Sequence, residues 1–283
     1  MDAQPPLDLT IVLTTSPTRS NPSIEMLQLV IDSFSFVKNL GSYKMLFTFD
    51  GYKVKEAEKV TSNSYRNGVI SDEMIPRYEQ YIENVEQWVK SDPRFNAELL
   101  VLVREERHGF GFAVKRALEQ VNTKYVMVVQ HDRTFIKSFD ILPLLQILDT
   151  PEEEVNYIGF ITTSTLNHLE RIRGRLGAKG PPPDLSWARP KEAHGVTLLP
   201  LLQWFDSTHV CTTAYYRDFV FGPGRRLVRK GGFIEDKLGQ QQLTDLKARG
   251  EEGFRPYGTY LMDHGPGEKT VSHLDGGDFH TEA

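Results

Sequence analysis

Continuous apolar runs alternate with stretches whose apolar residues recur three and four positions apart through the first 160 residues. "LDLTIVLTT" (Leu7 to Thr15), "YKMLFTFDGY", "AELLVLVRE", "KYVMVVQHD" and "NYIGFITTST" read as strands. Runs this continuous suit strands covered on both faces, as in parallel sheets. Between the first two, Ile24, Leu27, Val30, Ile31 and Phe34 lie at helical spacing behind Ser23, a candidate N-cap. "ISDEMIPRYEQYIENVEQWVKSD" is mostly helical in pattern, with Pro76 at an early turn or kink. "FGFAVKRALEQV" opens a helix after Gly109-Phe110-Gly111, and "SFDILPLLQIL" supplies another. Strand-helix alternation predicts a mostly parallel central sheet with helices on both faces.

The pattern is less regular afterwards. Residues 171–184, rich in Arg, Gly and Pro, read as a long mobile loop. "VTLLPLLQWFDSTHVCTTAYY" is strand-rich, "EDKLGQQQLTDLKA" is helical, "YGTYLMDHG" is a last strand, and a glycine-bearing tail follows. The expectation is one α/β domain over 1–283, with a regular half at 7–165 and a more irregular half at 166–283.

Composition narrows the class. With 283 residues, 39% hydrophobic and 25% charged, the chain can build a full core. A net charge of -5 gives no support for binding nucleic acid. Cys211 is the single cysteine, which excludes an intrachain disulfide and a cysteine-rich zinc site. No basic region with a long apolar stretch opens the chain, and no run of about 18 apolar residues occurs. A cytoplasmic location and no membrane span are the expectation.

Candidate chemistry gathers where strands end, because open α/β sheets hold ligands at the carboxyl ends of their strands. The fourth strand ends in Gln130-His131-Asp132. Asp132 and His131 are residue types that bind divalent cations. Asp50 ends the second strand, either as a ligand acceptor or as an ordinary Asp-Gly turn. Gly109 and Gly111 precede a helix start, which favours negative charge. Val114 replaces the third glycine of a dinucleotide fingerprint, and no Gly-Lys-Ser/Thr follows. Glu235 and Asp236 open a helix after Arg225, Arg226, Arg229 and Lys230. Such acids compensate the helix dipole or serve as a general base. His264, behind the last strand, is preferred as a metal ligand over His273, with His280 in the tail. Trp204, Phe205 and Asp206 offer aromatic faces for a sugar ring, or an interior tryptophan.

In this order the motifs resemble inverting glycosyltransferases of the GT-A type, especially family 2. "IVLTTSPTRSNPS" matches the opening strand and loop, Asp50 the acid of strand two, and "HGFGFAVKRAL" the small-residue loop and helix. Gln130-His131-Asp132 stands at the Asp-x-Asp metal motif, with Gln130 at its first acid, and "FIEDK" matches the later Glu-Asp pair. The resemblance implies a GT-A fold with an irregular acceptor-side part. It implies inverting transfer of a hexosyl or pentosyl group from a nucleotide diphosphate sugar to a hydroxyl of a glycan or other acceptor. Asp236 would be the base, with Glu235 the alternative. Thr14, Ser16, Asp50, Gly109, Gly111, Lys115, Gln130 and His131 would line the donor. Asp132 and His264 would hold Mn2+ or Mg2+, with metal dependence weakened by Gln130. The rival readings are a degenerate nucleotide-sugar-binding protein, a sugar-phosphate nucleotidyltransferase, and a His-Asp metal-dependent hydrolase.

Overall fold

A computed structural model describes residues 8–40, 43–61, 64–65, 67–102, 106–177, 183–223, 228–275 and 279. A nine-stranded sheet runs through it. From one edge to the other its strands are Lys191–Ala193, Val196–Pro200, Thr259–Asp263, Tyr157–Phe160, His209–Thr212, Tyr125–Gln130, Leu9–Thr15, Tyr43–Phe49 and Phe95–Val101. The last four of these are mutually parallel, as the alternating pattern predicts. The other half is mixed: His209–Thr212 runs antiparallel to both its neighbours, and Val196–Pro200 also runs antiparallel to its two. The mostly parallel sheet expected from the sequence is therefore a parallel half joined to a mixed half.

Period-two alternation sorts the strands' side chains onto two cores. Leu9, Ile11 and Leu13 join Met127 and Val129 in one cluster, with Leu27 and Val30 of helix Glu25–Asp32 and Tyr78 and Val85 of helix Ile75–Ser91. Val12, Val126 and Val128 face the other, with Val114 and Ala117 of helix Phe110–Leu118 and the fully buried Trp204. Every residue of Leu9–Thr15 is buried, as expected for a strand covered on both sides. Pro76 lies in the first turn of its helix, where its missing N–H costs nothing.

Register places the chemistry. Thr14 pairs with Thr48 on one side and Gln130 on the other. The residues just past these strands, Ser16, Asp50 and His131-Asp132, therefore emerge along one sheet edge. Because His209–Thr212 runs against Tyr125–Gln130, the segment entering it, Phe205 to Thr208, arrives at that same edge. A short ribbon completes it: Val271–His273 pairs antiparallel with Arg133–Phe135, setting His273 opposite Arg133.

Two sequence expectations change. Residues 171–177 belong to a helix, His168–Gly177, whose Ile172 and Leu176 are buried; an Arg- and Gly-rich composition hid this apolar face. Positions 178–182 of the expected loop lie outside the described residues, as do Arg225, Arg226 and His280. The tail is not bare either, since it supplies the Val271–His273 strand. Among the described residues no helix is long and apolar enough to cross a membrane.

Gln242 anchors the segment that feeds the edge. Fully buried on helix Gln240–Arg249, it accepts the Trp204 N–H at 2.6 Å and donates to the Leu201 carbonyl at 2.9 Å and Thr259 Oγ1 at 2.8 Å. Gln242→Leu keeps the bulk and orphans the Trp204 main-chain N–H, at a cost of about 1–3 kcal/mol, while Thr259 Oγ1 and the Leu201 carbonyl keep their own bond at 2.6 Å. Urea denaturation should show a loss of that order, and an unchanged midpoint would remove Gln242 from this role.

Candidate active site

A cleft of about 620 Å³ opens at the carboxyl ends of the parallel strands. Thr14, Ser16, Asp50, Gly109, Gln130, His131, Asp132 and Glu235 of the sequence-derived set line it. Phe205, Asp206 and His273, weighed for other or secondary roles, line it as well. Arg133, the guanidinium of the polar cluster that ends the fourth strand, lines it too, with Arg107, Phe110 and Phe233, to which the sequence assigned no role. Arg107 and Arg133 did carry a sequence signal, since each adjoins a motif that was read, "HGFGF" and "QHD".

Asp50 is committed to the backbone. Its Oδ1 accepts the N–H groups of Gly51 at 2.8 Å and His108 at 2.9 Å, and its Oδ2 accepts that of Gly109 at 2.8 Å. Burial pushes its carboxyl up from the ordinary value, against the pull of these N–H donors and His108. Tyr78 donates its hydroxyl to the Asp50 carbonyl at 2.9 Å. Asp50 thus holds the 107–109 loop in place, a larger task than either the turn or the ligand contact expected of it.

The glycines serve chain packing. Gly109 has φ +76, and a Cβ there would lie 2.6 Å from the Gly231 carbonyl carbon. A Cβ on Gly111 would lie 2.7 Å from Val228 Cγ1. Gly111 does not line the cleft; its hydrogen is spent on close approach of the 228–232 segment. Lys115 is also outside, exposed and lying over the Phe112 and Phe221 rings at 5.5 and 5.9 Å.

His131 is a pin between strands. Its Nδ1 accepts the Ser16 N–H at 3.2 Å and lies 2.9 Å from Thr15 Oγ1, which in turn contacts the Tyr81 hydroxyl at 3.0 Å. An Nδ1 that accepts leaves the ring proton on Nε2. Burial lowers the imidazole's pKa, so the ring is neutral at pH 7. Gln130 bridges the two walls, donating to the Asp206 carbonyl and accepting from Arg133 Nε, both at 3.3 Å. A carboxylate at position 130 could not make the first of these bonds.

Asp132 meets His273, not His264. His273 Nε2 lies 3.0 Å from Asp132 Oδ2, and Arg133 Nε is 3.9 Å from Oδ1. Burial works to raise the Asp132 carboxyl, but the His273 hydrogen bond and adjoining charges outweigh it and hold it below the usual range. His264 is half-buried, does not line the cleft, and follows a strand three places removed from Tyr125–Gln130 in the sheet. The preference for His264 is therefore corrected. An aspartate oxygen and an imidazole nitrogen suit Mn2+ or Mg2+ as ligand types. Among the described residues no group of three or more candidate ligands forms. The protein's share of a cation shell would be these two residues, an arrangement that suits Mg2+ because it shares its shell with substrate phosphates.

The cleft lining also holds a linked pair of carboxyl residues, Asp206 and Glu235. Asp206 N–H donates to Glu235 Oε2 at 3.0 Å, and Glu235 N–H donates to Asp206 Oδ2 at 3.1 Å. Trp204 Nε1 donates to Asp206 Oδ1 at 2.8 Å. Trp204 itself is buried against Tyr157, centroids 4.6 Å apart, so it is core rather than a sugar platform. Of these two adjoining aromatics, Phe205 is the one that reaches the cleft. Glu235 opens a π-helical turn, Glu235–Gly239, a feature frequent at functional sites. Asp236 is exposed outside the cleft and accepts the Phe233 N–H at 3.3 Å, which makes it a cap and corrects its preference over Glu235. Burial holds the Glu235 carboxyl above its ordinary value, with Asp236 adding to the effect.

No family model matches the chain, and no curated protein matches it. Solved structures that are similar include S. aureus TarS, at 12% identity over 94% of this chain and 36% of that one, TM-score 0.46. Another is TarS 1-349 in complex with UDP-GlcNAc, at 10% identity over 97% of this chain and 59% of that one, TM-score 0.47. A third is the mannosyltransferase PcManGT from Pyrobaculum calidifontis in complex with GDP-Man and Mn2+, at 11% identity over 92% and 59%, TM-score 0.46. The chain spans 36% to 59% of the length of these three.

Asp50→Asn replaces one acceptor with a donor facing backbone N–H groups. Amide exchange at His108 and Gly109 should accelerate by at least about tenfold, the equivalent of one lost hydrogen bond. Unchanged protection would show that the carboxylate does not hold the loop.

Proposed function

We propose that this chain is a single-domain, GT-A-like, inverting glycosyltransferase that moves a sugar from a nucleotide diphosphate sugar to an acceptor hydroxyl. One observation carries the reading: one cleft at the strand ends gathers the Asp132–His273 pair, Glu235, Arg107 and Arg133. Thr14 and Ser16 line the side proposed for the nucleoside. Arg107 and Arg133 would face the diphosphate, where planar guanidinium groups suit phosphate oxygens.

Glu235 is the proposed base. The acceptor O–H bond breaks, its proton passes to the Glu235 carboxylate, and the oxygen's electron pair bonds the anomeric carbon. The bond from that carbon to the diphosphate oxygen breaks on the opposite face, and its electron pair leaves with the diphosphate. Configuration inverts. A base held above the ordinary glutamate value is better matched to abstracting a hydroxyl proton near neutrality. Asp132 and His273 would hold a divalent cation, which when bound neutralises charge on the leaving group. Phe205 and the stacked pair Phe110–Phe233, centroids 6.1 Å apart, would shield the reacting centre from water. A glycan or other hydroxyl-bearing molecule is the proposed acceptor.

The experiment is a panel of nucleotide sugars with Mn2+, read as release of nucleoside diphosphate, with slow hydrolysis standing in for an unknown acceptor. At least one donor should turn over, with the rate falling on the acid side through a midpoint above the ordinary glutamate value, because burial raises the Glu235 carboxyl. Glu235→Gln should reduce turnover by about 10²–10⁴-fold, the usual worth of a general base, with nucleoside diphosphate binding nearly intact. Binding without turnover in the wild-type protein would move the chain to the degenerate-binder reading. Loss of binding in a folded Glu235→Gln protein would remove the base role.

A further inference from the structure

Asp206 is more buried than Glu235 and belongs to the same cleft wall. The two are joined by a reciprocal clasp in which each carboxylate accepts the other's main-chain N–H. The clasp joins the segment before His209–Thr212 to the Glu235–Gly239 turn, 29 positions along the chain. Two carboxyl groups tied this closely in a low-dielectric wall cannot both ionise without mutual repulsion.

We propose that Asp206 is a positioning residue for Glu235: it clasps Glu235 at the wall and retains a proton while Glu235 is ionised, so that the pair presents one negative charge to the cleft. The inference deepens the transferase reading and rests on it for the base role of Glu235. The division of the proton follows from surroundings. Glu235 has Arg133 and Arg171 near it, with Asp236 opposing them. Asp206 accepts the indole N–H of Trp204, lies near Glu235 and the buried phenols of Tyr157 and Tyr216, and forms no ion pair with a cation among the described residues. Burial first, and then the Glu235 charge, push its carboxyl up to about 8, against the Trp204 and Glu235 N–H donors.

A consequence for the ligand follows. Above that midpoint the wall gains a second negative charge, which repels a diphosphate. Donor affinity falls as pH rises, appearing in KM before kcat. A purely structural Asp206 would give no such limb.

Side-chain carboxyl ¹³C NMR on the full chain reads the pair directly. In the wild-type protein Asp206 should titrate near 8 and Glu235 below it. Glu235→Gln keeps the acceptor for the Asp206 N–H and removes the charge, so the Asp206 midpoint should drop by about one unit or more, a tenfold change in its proton equilibrium. Trp204→Phe removes the indole donor and should move that midpoint upward, together with the alkaline rise in the dissociation constant for nucleoside diphosphate. Titration of Asp206 in the ordinary carboxylate range, or a midpoint indifferent to Glu235→Gln, overturns the proposal. Absence of turnover with every nucleotide sugar would sink the transferase reading instead, and the NMR titration would still decide the pair.

Discussion

Asp132 and His273 are 141 positions apart in the chain and meet at 3.0 Å. That contact depends on everything between them. The central strand must end level with its neighbours for Asp132 to reach the sheet edge, and the tail must return to pair with Arg133–Phe135. Main-chain bonds secure the return: Thr270 and Val271 both donate to the Ile161 carbonyl, and Leu274 donates to that of Asp132. A tail strand of three residues has little pairing of its own to hold it. Its position is set by these anchors and by Val271, buried in the main core.

Four carboxylates around one cleft are put to different uses by their surroundings alone. Asp50 is saturated by backbone N–H groups and organises a loop. Asp132, against His273 and Arg133, is kept charged. Asp206 and Glu235 are both raised, the deeper one more, and share a wall. Proton affinity held low at Asp132 and high at Glu235 is the separation that the proposed acid-base chemistry beside a diphosphate requires. Glycine does comparable work at closer range. Gly109, in a left-handed conformation and in contact with Gly231, lets the loop held by Asp50 touch the segment leading to Glu235. The two walls are mechanically linked by that touch.

The parallel half of the sheet was legible because strands covered on both faces are largely apolar, as Leu9–Thr15 is through Ile11 to Leu13 and Tyr125–Gln130 is through Tyr125 to Val129. The edge chemistry at Asp50 and Gln130-His131-Asp132 was legible for the same reason: polar residues stop an apolar run abruptly. What failed depended on distant packing. Glu235 and Asp236 are adjacent, and only the placement of the 228–234 segment against Gly109 and Gly111 decides which one faces the cleft. His264 follows a strand, as a ligand should, but that strand lies three places from the central one. His273 belongs to a strand too short to show a period. Helix His168–Gly177 hides two buried apolar residues among six charged ones or glycines on its exposed face. Asp206 looked like a sugar-side polar group, and its pairing with Glu235 has no local signature at all.

The claim at the centre is that Asp132 and His273 together make a place for a diphosphate and its cation. Isothermal titration of UDP and GDP with and without Mn2+, on the wild-type chain, Asp132→Asn and His273→Ala, tests it most directly. The account predicts that at least one nucleotide binds more tightly with Mn2+, and that either substitution removes the Mn2+-dependent part while the protein stays folded. Equal affinity in all three proteins, or binding indifferent to Mn2+ and to both substitutions, would contradict it.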